Sequence, residues 1–258
     1  MLVGPAFYAE NFDIPPQAAC LAHSADMVIT GEIVPGELLS ILGTNLAPST
    51  VATQPENGFY PISAAGISIT FNGVPAPVLY VSPEQINVQV PAEVADYASS
   101  SAYVAIEIVP TLPQFPNNAA PLAYASIAPV APSYFEIPLT PGECPGQYAG
   151  QKKLLAINPD GTLNGCGNPA PANSTVTLFV DGLGAAASAP TGAVITASAP
   201  AYFGLEPVIN SISGVYSKQV TASTLSNSGI CLGPAFWDLS PVCYPLTGPL
   251  PIYVASAP

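Results

Sequence analysis

Few side chains in this sequence are equipped for chemistry. His23 is the sole histidine, with Ser24 and Asp26 beside it. A catalytic triad needs partners brought together by the fold rather than by adjacency, so His23 reads as a packed or solvated residue. Sixteen acids are spread along the chain, and no spacing singles out a pair for glycosidic hydrolysis. Asn158-Pro159-Asp160-Gly161-Thr162-Leu163-Asn164 superficially matches a calcium loop, but it lacks the acidic ligand density and the distal Glu. It reads as a hairpin turn. Asn173-Ser174-Thr175 is a sequon able to accept a glycan. No catalytic, metal-binding or cofactor-binding residue is assigned; no enzymatic activity and no cofactor are expected.

The five cysteines, Cys20, Cys144, Cys166, Cys231 and Cys243, form neither a CxxC motif nor a Cys/His cluster with metal spacing. Cys144 and Cys166 flank a segment rich in turn signals, and Cys231 and Cys243 bracket a Trp-bearing loop. Local pairing of Cys144 with Cys166 and of Cys231 with Cys243 is therefore the expectation. Each bridge would stabilise by roughly 2 to 4 kcal/mol and imply an oxidising compartment. Cys20 is left as a free or intermolecular thiol.

The elements that must position these residues are strands. The chain of 258 residues is 49% hydrophobic and 7% charged, with 32 Pro and 21 Gly; disordered chains are poor in apolar residues, so this one folds. Short apolar runs punctuated by Pro, Gly, Asn and Ser are the pattern of sandwiches and barrels. Lys152, Lys153 and Lys218 are the only bases, and the formal net charge is −13. Such a chain cannot assemble the basic footprint that nucleic acid or an anionic membrane surface requires. No stretch is long and apolar enough to span a bilayer. The first eight residues lack the basic region and continuous apolar run of a signal peptide, which places any export signal upstream of this numbering.

Runs with period-two alternation occur at Glu37–Gly43, Gly66–Phe71, Val78–Val81, Gln85–Val90, Ala102–Val109 and Leu122–Ile127, as half-buried strands require. The second half repeats the order. Ser174–Gly184 echoes Glu37–Leu46, Val215–Ala222 stands where Gln85–Val90 stood, and Pro251–Ala255 corresponds to Tyr103–Ile106. This predicts an all-β chain of two tandem immunoglobulin-like sandwiches, residues 31–135 and 136–258, after an N-terminal extension of residues 1–30. The boundary is expected between about Ala128 and Gly142, where prolines stiffen the joint. By the repeat, the second sandwich lacks its last strand, the counterpart of Leu122–Ile127.

Val34-Pro35-Gly36-Glu37-Leu38-Leu39-Ser40-Ile41-Leu42-Gly43-Thr44-Asn45-Leu46, followed by Gly66–Pro91 with its Asn72-Gly73 turn, resembles the Solibacter-type uncharacterised C-terminal domain family of acidobacterial secreted proteins. Modules of that family resemble IPT/TIG immunoglobulin-like sandwiches. The resemblance is close over residues 32 to 91, looser from Asn158 to Gly184, and poor after Ala185. It implies an extracellular or cell-surface β module without established catalytic residues.

A sandwich short of a strand exposes an edge. The apolar N-terminal stretch with Leu2, Val3, Phe7, Tyr8 and Phe12 is of strand length, which predicts a fibre subunit whose N-terminal segment completes a neighbour's second sandwich along an edge formed by Leu250, Ile252, Tyr253 and Val254. The partner is then another copy of the chain. The competing expectation is a monomeric adhesin or carbohydrate-binding module, with glycans as partners, since the chain holds 12 Tyr and 9 Phe.

Overall fold

A computed structural model of the chain describes residues 15–100, 103–111, 122–131, 133–142, 152–165, 167–171, 174–182, 184 and 191–193, together with the strand backbones at 201–203, 206–207, 209–212, 215–219, 230–232 and 242–244. The fold is all-β and immunoglobulin-like, as the alternation predicts. In the first half the strands are β1 (Gln17–His23), β2 (Ile29–Thr30), β3 (Glu32–Ile33), β4 (Leu38–Thr44), β5 (Val51–Ala52), β6 (Ile67–Phe71), β7 (Val74–Pro75), β8 (Val78–Val81), β9 (Gln85–Gln89), β10 (Val104–Pro110) and β11 (Ala123–Ile127). They form two sheets, β2-β1-β4-β9-β8-β5 and β3-β11-β10-β6-β7.

The inward residues of both sheets make one core. Leu39 and Ile41 of β4, Ile86 and Val88 of β9, Ile69 and Phe71 of β6, and Val104 and Ile106 of β10 are fully buried. Between them lie the half-buried Asn87 and Ala105, so the period of two is realised in burial. Asn72 and Gly73 join β6 to β7 with φ of 49° and 81°. Positive φ at both centres is what a two-residue hairpin of this twist needs, and Asn-Gly supplies it cheaply. The strands at all four sheet edges, β2, β5, β3 and β7, are two residues long.

Residues 15–30 are not an extension. β1 pairs with β4 from Gln17↔Thr44 to His23↔Leu39, and β2 pairs with β1, so both belong to the first sandwich. The sequence hides this strand because its inward Leu21 stands among small residues: Ala18, Ala19, Cys20 and Ala22 carry little of the β-branched signal on which strand reading rests. The register shifts between Ala18 and Cys20, and there Gly43 is indispensable. A Cβ on Gly43 would lie 2.0 Å from the Gln17 carbonyl oxygen.

The second half holds β12 (Ser133–Tyr134), β13 (Glu136–Pro138), β14 (Lys152–Leu154), β15 (Ala156–Ile157), β16 (Thr175–Asp181), β17 (Ala201–Phe203), β18 (Glu206–Pro207), β19 (Ile209–Ile212), β20 (Val215–Gln219), β21 (Ile230–Leu232) and β22 (Val242–Tyr244). Strand pairing passes from the first pair of sheets to this set between Ile127 and Ser133. The order β12-β16-β20-β19 reproduces β1-β4-β9-β8, and β22-β21-β17-β18 reproduces β11-β10-β6-β7. The strand correspondence thus differs from the sequence reading. Ile230–Leu232, not Pro251–Ala255, takes the place of β10, and β22 takes that of β11. Among the described residues β2, β5 and β3 have no counterpart; β3 runs parallel to β11 through Ser126↔Glu32 and Ile127↔Ile33, whereas β13, which follows β12 as β3 follows β1, pairs with β14 instead.

Gly43→Ala is expected to lower unfolding stability in urea by about 1 to 3 kcal/mol, the usual cost of overpacking, because backbone must move. Gly31→Ala, with nothing within 4 Å of the new Cβ, is the matched control and should change stability by less than about 0.5 kcal/mol.

Candidate functional site

A buried polar cluster sits where the two halves meet. β1 ends at His23 and the chain turns through Ser24, Ala25 and Asp26, so the ladder beside β4 stops one residue short of the strand's beginning. The Ser24 N–H still reaches the Leu38 carbonyl at 2.9 Å, but the Leu38 N–H on the same side has no strand to meet. Asp181, the last residue of β16, fills the gap: its Oδ2 accepts from the Leu38 N–H at 2.9 Å and its Oδ1 from the Gly182 N–H at 2.9 Å. The turn is gripped as well. The Glu136 N–H donates to the Ala25 carbonyl at 2.9 Å, and Lys152 Nζ donates to the Asp26 carbonyl at 2.9 Å while pairing with Glu136.

Glu37 lies beside Asp181 with 1% of its surface exposed. Its Oε1 accepts from the Val34 N–H at 2.9 Å, and its Oε2 meets His23 Nδ1 at 2.9 Å. That hydrogen bond raises the His23 pKa above 6.5, against the opposing effect of burial. Burial, with the nearby Glu37 charge adding to it, pushes the Asp181 carboxyl up to about 7. His23 is therefore a packed residue with an acid partner. The Ser24 hydroxyl, its neighbour in sequence, is engaged with Ser40 Oγ at 2.8 Å.

Loop 191–193 adds a second line of contact. The Ala92 N–H donates to Thr191 Oγ1, the Gly192 N–H to Gln89 Oε1, and the Tyr60 N–H to the Gly192 carbonyl, each at 2.9 Å. Sequence reading missed Glu37 and Asp181 as a pair. They are 144 positions apart, and the one available signal was a Glu opening an otherwise apolar strand.

The loop from Asn158 to Asn164 is internally satisfied. Asn164 Nδ2 donates to Asn158 Oδ1 at 2.9 Å, and Asn168 Nδ2 to Thr162 Oγ1 at 2.7 Å. The Thr162 N–H and hydroxyl both donate to Asp160, which lowers the Asp160 pKa. The buried Lys153 closes the loop by donating to the Asn164 carbonyl at 3.0 Å. This is a turn, and no described group of three or more His, Cys, Asp or Glu is arranged to hold a metal.

Of the other sequence candidates, Leu2, Val3, Phe7, Tyr8, Phe12, Leu250, Ile252, Tyr253, Val254, Cys144, Cys166 and Asn173 lie outside the described residues. Cys231 and Cys243 stand directly opposite each other across β21 and β22. Cys20 is a free thiol. It lines an open groove of about 310 Å³ between β1–β2 and β11, with Leu21, Ile29, Leu122 and Tyr124. Tyr124 and Tyr103 are 60% and 67% exposed; Ala105 pairs with Tyr124, which puts both tyrosines on the outward face.

His23→Ala leaves Glu37 buried without its cation. The expected cost is about 3 kcal/mol in denaturant unfolding, and His23→Gln, which keeps a donor, should recover part of it.

Residues 28–116 match the family model described as the IPT/TIG domain. No curated protein matches the chain. Among solved structures, the full extracellular region of plexin A4 is similar at 12% sequence identity and a TM-score of 0.27, over 90% of this chain. The chain spans 18% of the length of that plexin chain.

Proposed function

Starting from an IPT/TIG immunoglobulin-like domain in the first half, we propose that the chain is a structural subunit of an extracellular fibre, in which the N-terminal segment of one copy completes the second sandwich of the next. The observation that carries this reading is the edge at β22. In the first sandwich the equivalent strand, β11, is covered by β3; among the described residues β22 pairs only with β21. A donated strand at this edge would run parallel to β22, as β3 runs parallel to β11.

The donor is the stretch with Leu2, Val3, Phe7, Tyr8 and Phe12. It precedes Pro15 and Pro16, and consecutive prolines favour extended backbone, which opposes a tight hairpin back onto β1. Burying about four apolar side chains at about 1.5 to 3 kcal/mol each would give roughly 6 to 12 kcal/mol, before the ordering cost of the segment. A head-to-tail contact of this kind does not close, so it propagates as an open fibre. The Solibacter-type resemblance of residues 32 to 91 supports an extracellular location and an acidobacterial origin. Cys231 and Cys243 would then meet an oxidising compartment at a cross-strand spacing compatible with a disulfide. In this reading the second sandwich begins after Ile127.

Deleting residues 1–14 should abolish fibres in negative-stain images while the first sandwich stays folded; fibres that assemble normally from the truncated chain would refute strand donation.

One observation favours a second reading, a surface adhesin or carbohydrate-binding module. The exposed Tyr103 and Tyr124 flank the small Ala105 on an outward sheet face, and aromatic faces can stack on sugar rings. Substituting both tyrosines by Ala should remove binding on a glycan array if this face is used, and leave fibre formation unchanged.

A further inference from the structure

We propose that the contact between Asp181 and the Leu38 N–H is a proton-operated latch between the two halves of the chain, tight in mildly acidic solution and loosened above neutrality. The latch is independent of strand donation. It stands on the geometry at the junction, where the buried Asp181 carboxyl accepts from the Leu38 N–H and the buried Glu37 carboxylate, one residue before Leu38, is hydrogen-bonded to His23.

The charged groups that act on Asp181 among the described residues are His23 from β1 and Glu37, one residue before β4; Asp26, from the turn, acts on His23. Lys152 and Glu136, from β14 and β13, are paired with each other at the rim. Lys152 also donates to the Asp26 carbonyl. When Asp181 carries a proton and His23 is protonated, the Asp181–Glu37–His23 cluster is neutral, with Glu37 and His23 as an ion pair. Asp181 then still presents a carbonyl oxygen to the Leu38 N–H. As pH rises both protons leave, and two carboxylates remain in a site that water scarcely reaches. Opening the joint would hydrate them.

The sign follows from which state holds protons more tightly. Asp181 titrates near 7 with the joint closed and near 3.8 once released to solvent, so between those values the closed state binds more protons and loses ground as pH rises. The raised pKa of His23 has the same sign, its contribution being complete below about 6.5 and lost as pH climbs through the raised value. The two groups reinforce each other. For Asp181 alone, the shift implies that the open fraction grows about tenfold between pH 6 and pH 8.

The test is hydrogen exchange on the full chain at about pH 6 and pH 8, corrected for intrinsic rates, comparing the Leu38 and Gly182 amides with core amides such as Ile69. Protection at Leu38 and Gly182 should fall about tenfold relative to the core, and Asp181→Asn, which keeps an acceptor for the Leu38 N–H but does not ionise, should abolish the fall. Equal protection at both pH values, or the same fall in Asp181→Asn, overturns the latch. Because the variant can fail to fold, the carboxyl carbon of Asp181 should also be titrated by NMR in the unmodified chain. A midpoint near 7 supports the proposal, and a midpoint below about 5 overturns it.

Discussion

Glu37 is the constraint around which the first sandwich is arranged. Between Ile33 and Leu38 the chain leaves the sheet that contains β11 and enters the sheet that contains β9, and a crossing of that kind strands backbone groups inside the protein. One carboxylate resolves it. Glu37 Oε1 takes the Val34 N–H, the Glu37 N–H returns to the Val34 carbonyl, and the Gly36 N–H reaches the Val90 carbonyl, with Gly36 at a φ of 87° that only glycine adopts at little cost. The other oxygen fixes His23 at the end of β1. The crossover, the first strand and the joint with the second half therefore meet at a single buried side chain.

The joint follows the same logic. A β1 extended by one more pair would have satisfied Leu38 within the sheet, and the second half would have had no polar site to occupy. Because the chain turns at Ser24, three backbone groups, the carbonyls of Ala25 and Asp26 and the N–H of Leu38, are presented together, and Glu136, Lys152 and Asp181 answer them. A complementary set of this kind fixes an orientation in a way that apolar contact alone does not, since a polar group moved out of register is left unpaired at a cost of about 1 to 3 kcal/mol.

What could be read from the sequence was what depends on local pattern. The period-two runs at Ile67–Phe71, Gln85–Gln89 and Val104–Pro110 became the core strands, and Asn72-Gly73 became the hairpin, because alternation and turn chemistry act over a few residues. β1 was missed since its inward Leu21 stands among alanines and its start is held by close backbone approach of Gln17 and Ala18 to Gly43, which leaves little hydrophobic signature. The echo between Glu37–Leu46 and Ser174–Gly184 identified β4 and β16 as equivalents, yet it could not align the later strands, where a few residues of pairing decide which run takes the place of β10. The site was the least legible part. Glu37 and Asp181 gain their properties from each other and from burial, and apart from a Glu set at the head of an apolar strand nothing in the local sequence anticipates the encounter.

The two-residue strands at the margins of the first sandwich carry a consequence of their own. An unpaired edge is a template for another chain, but β2, β5 and β7 offer too short a row of N–H and C=O groups for an incoming strand to gain more than it loses in order. Pro75 ends β7 and Pro77 follows it, and the high negative charge separates neighbouring molecules at low ionic strength. The flanks of this half are thereby closed to lateral sheet growth, so a crowded population of these molecules is biased away from amyloid-like stacking even though nearly half of its residues are apolar.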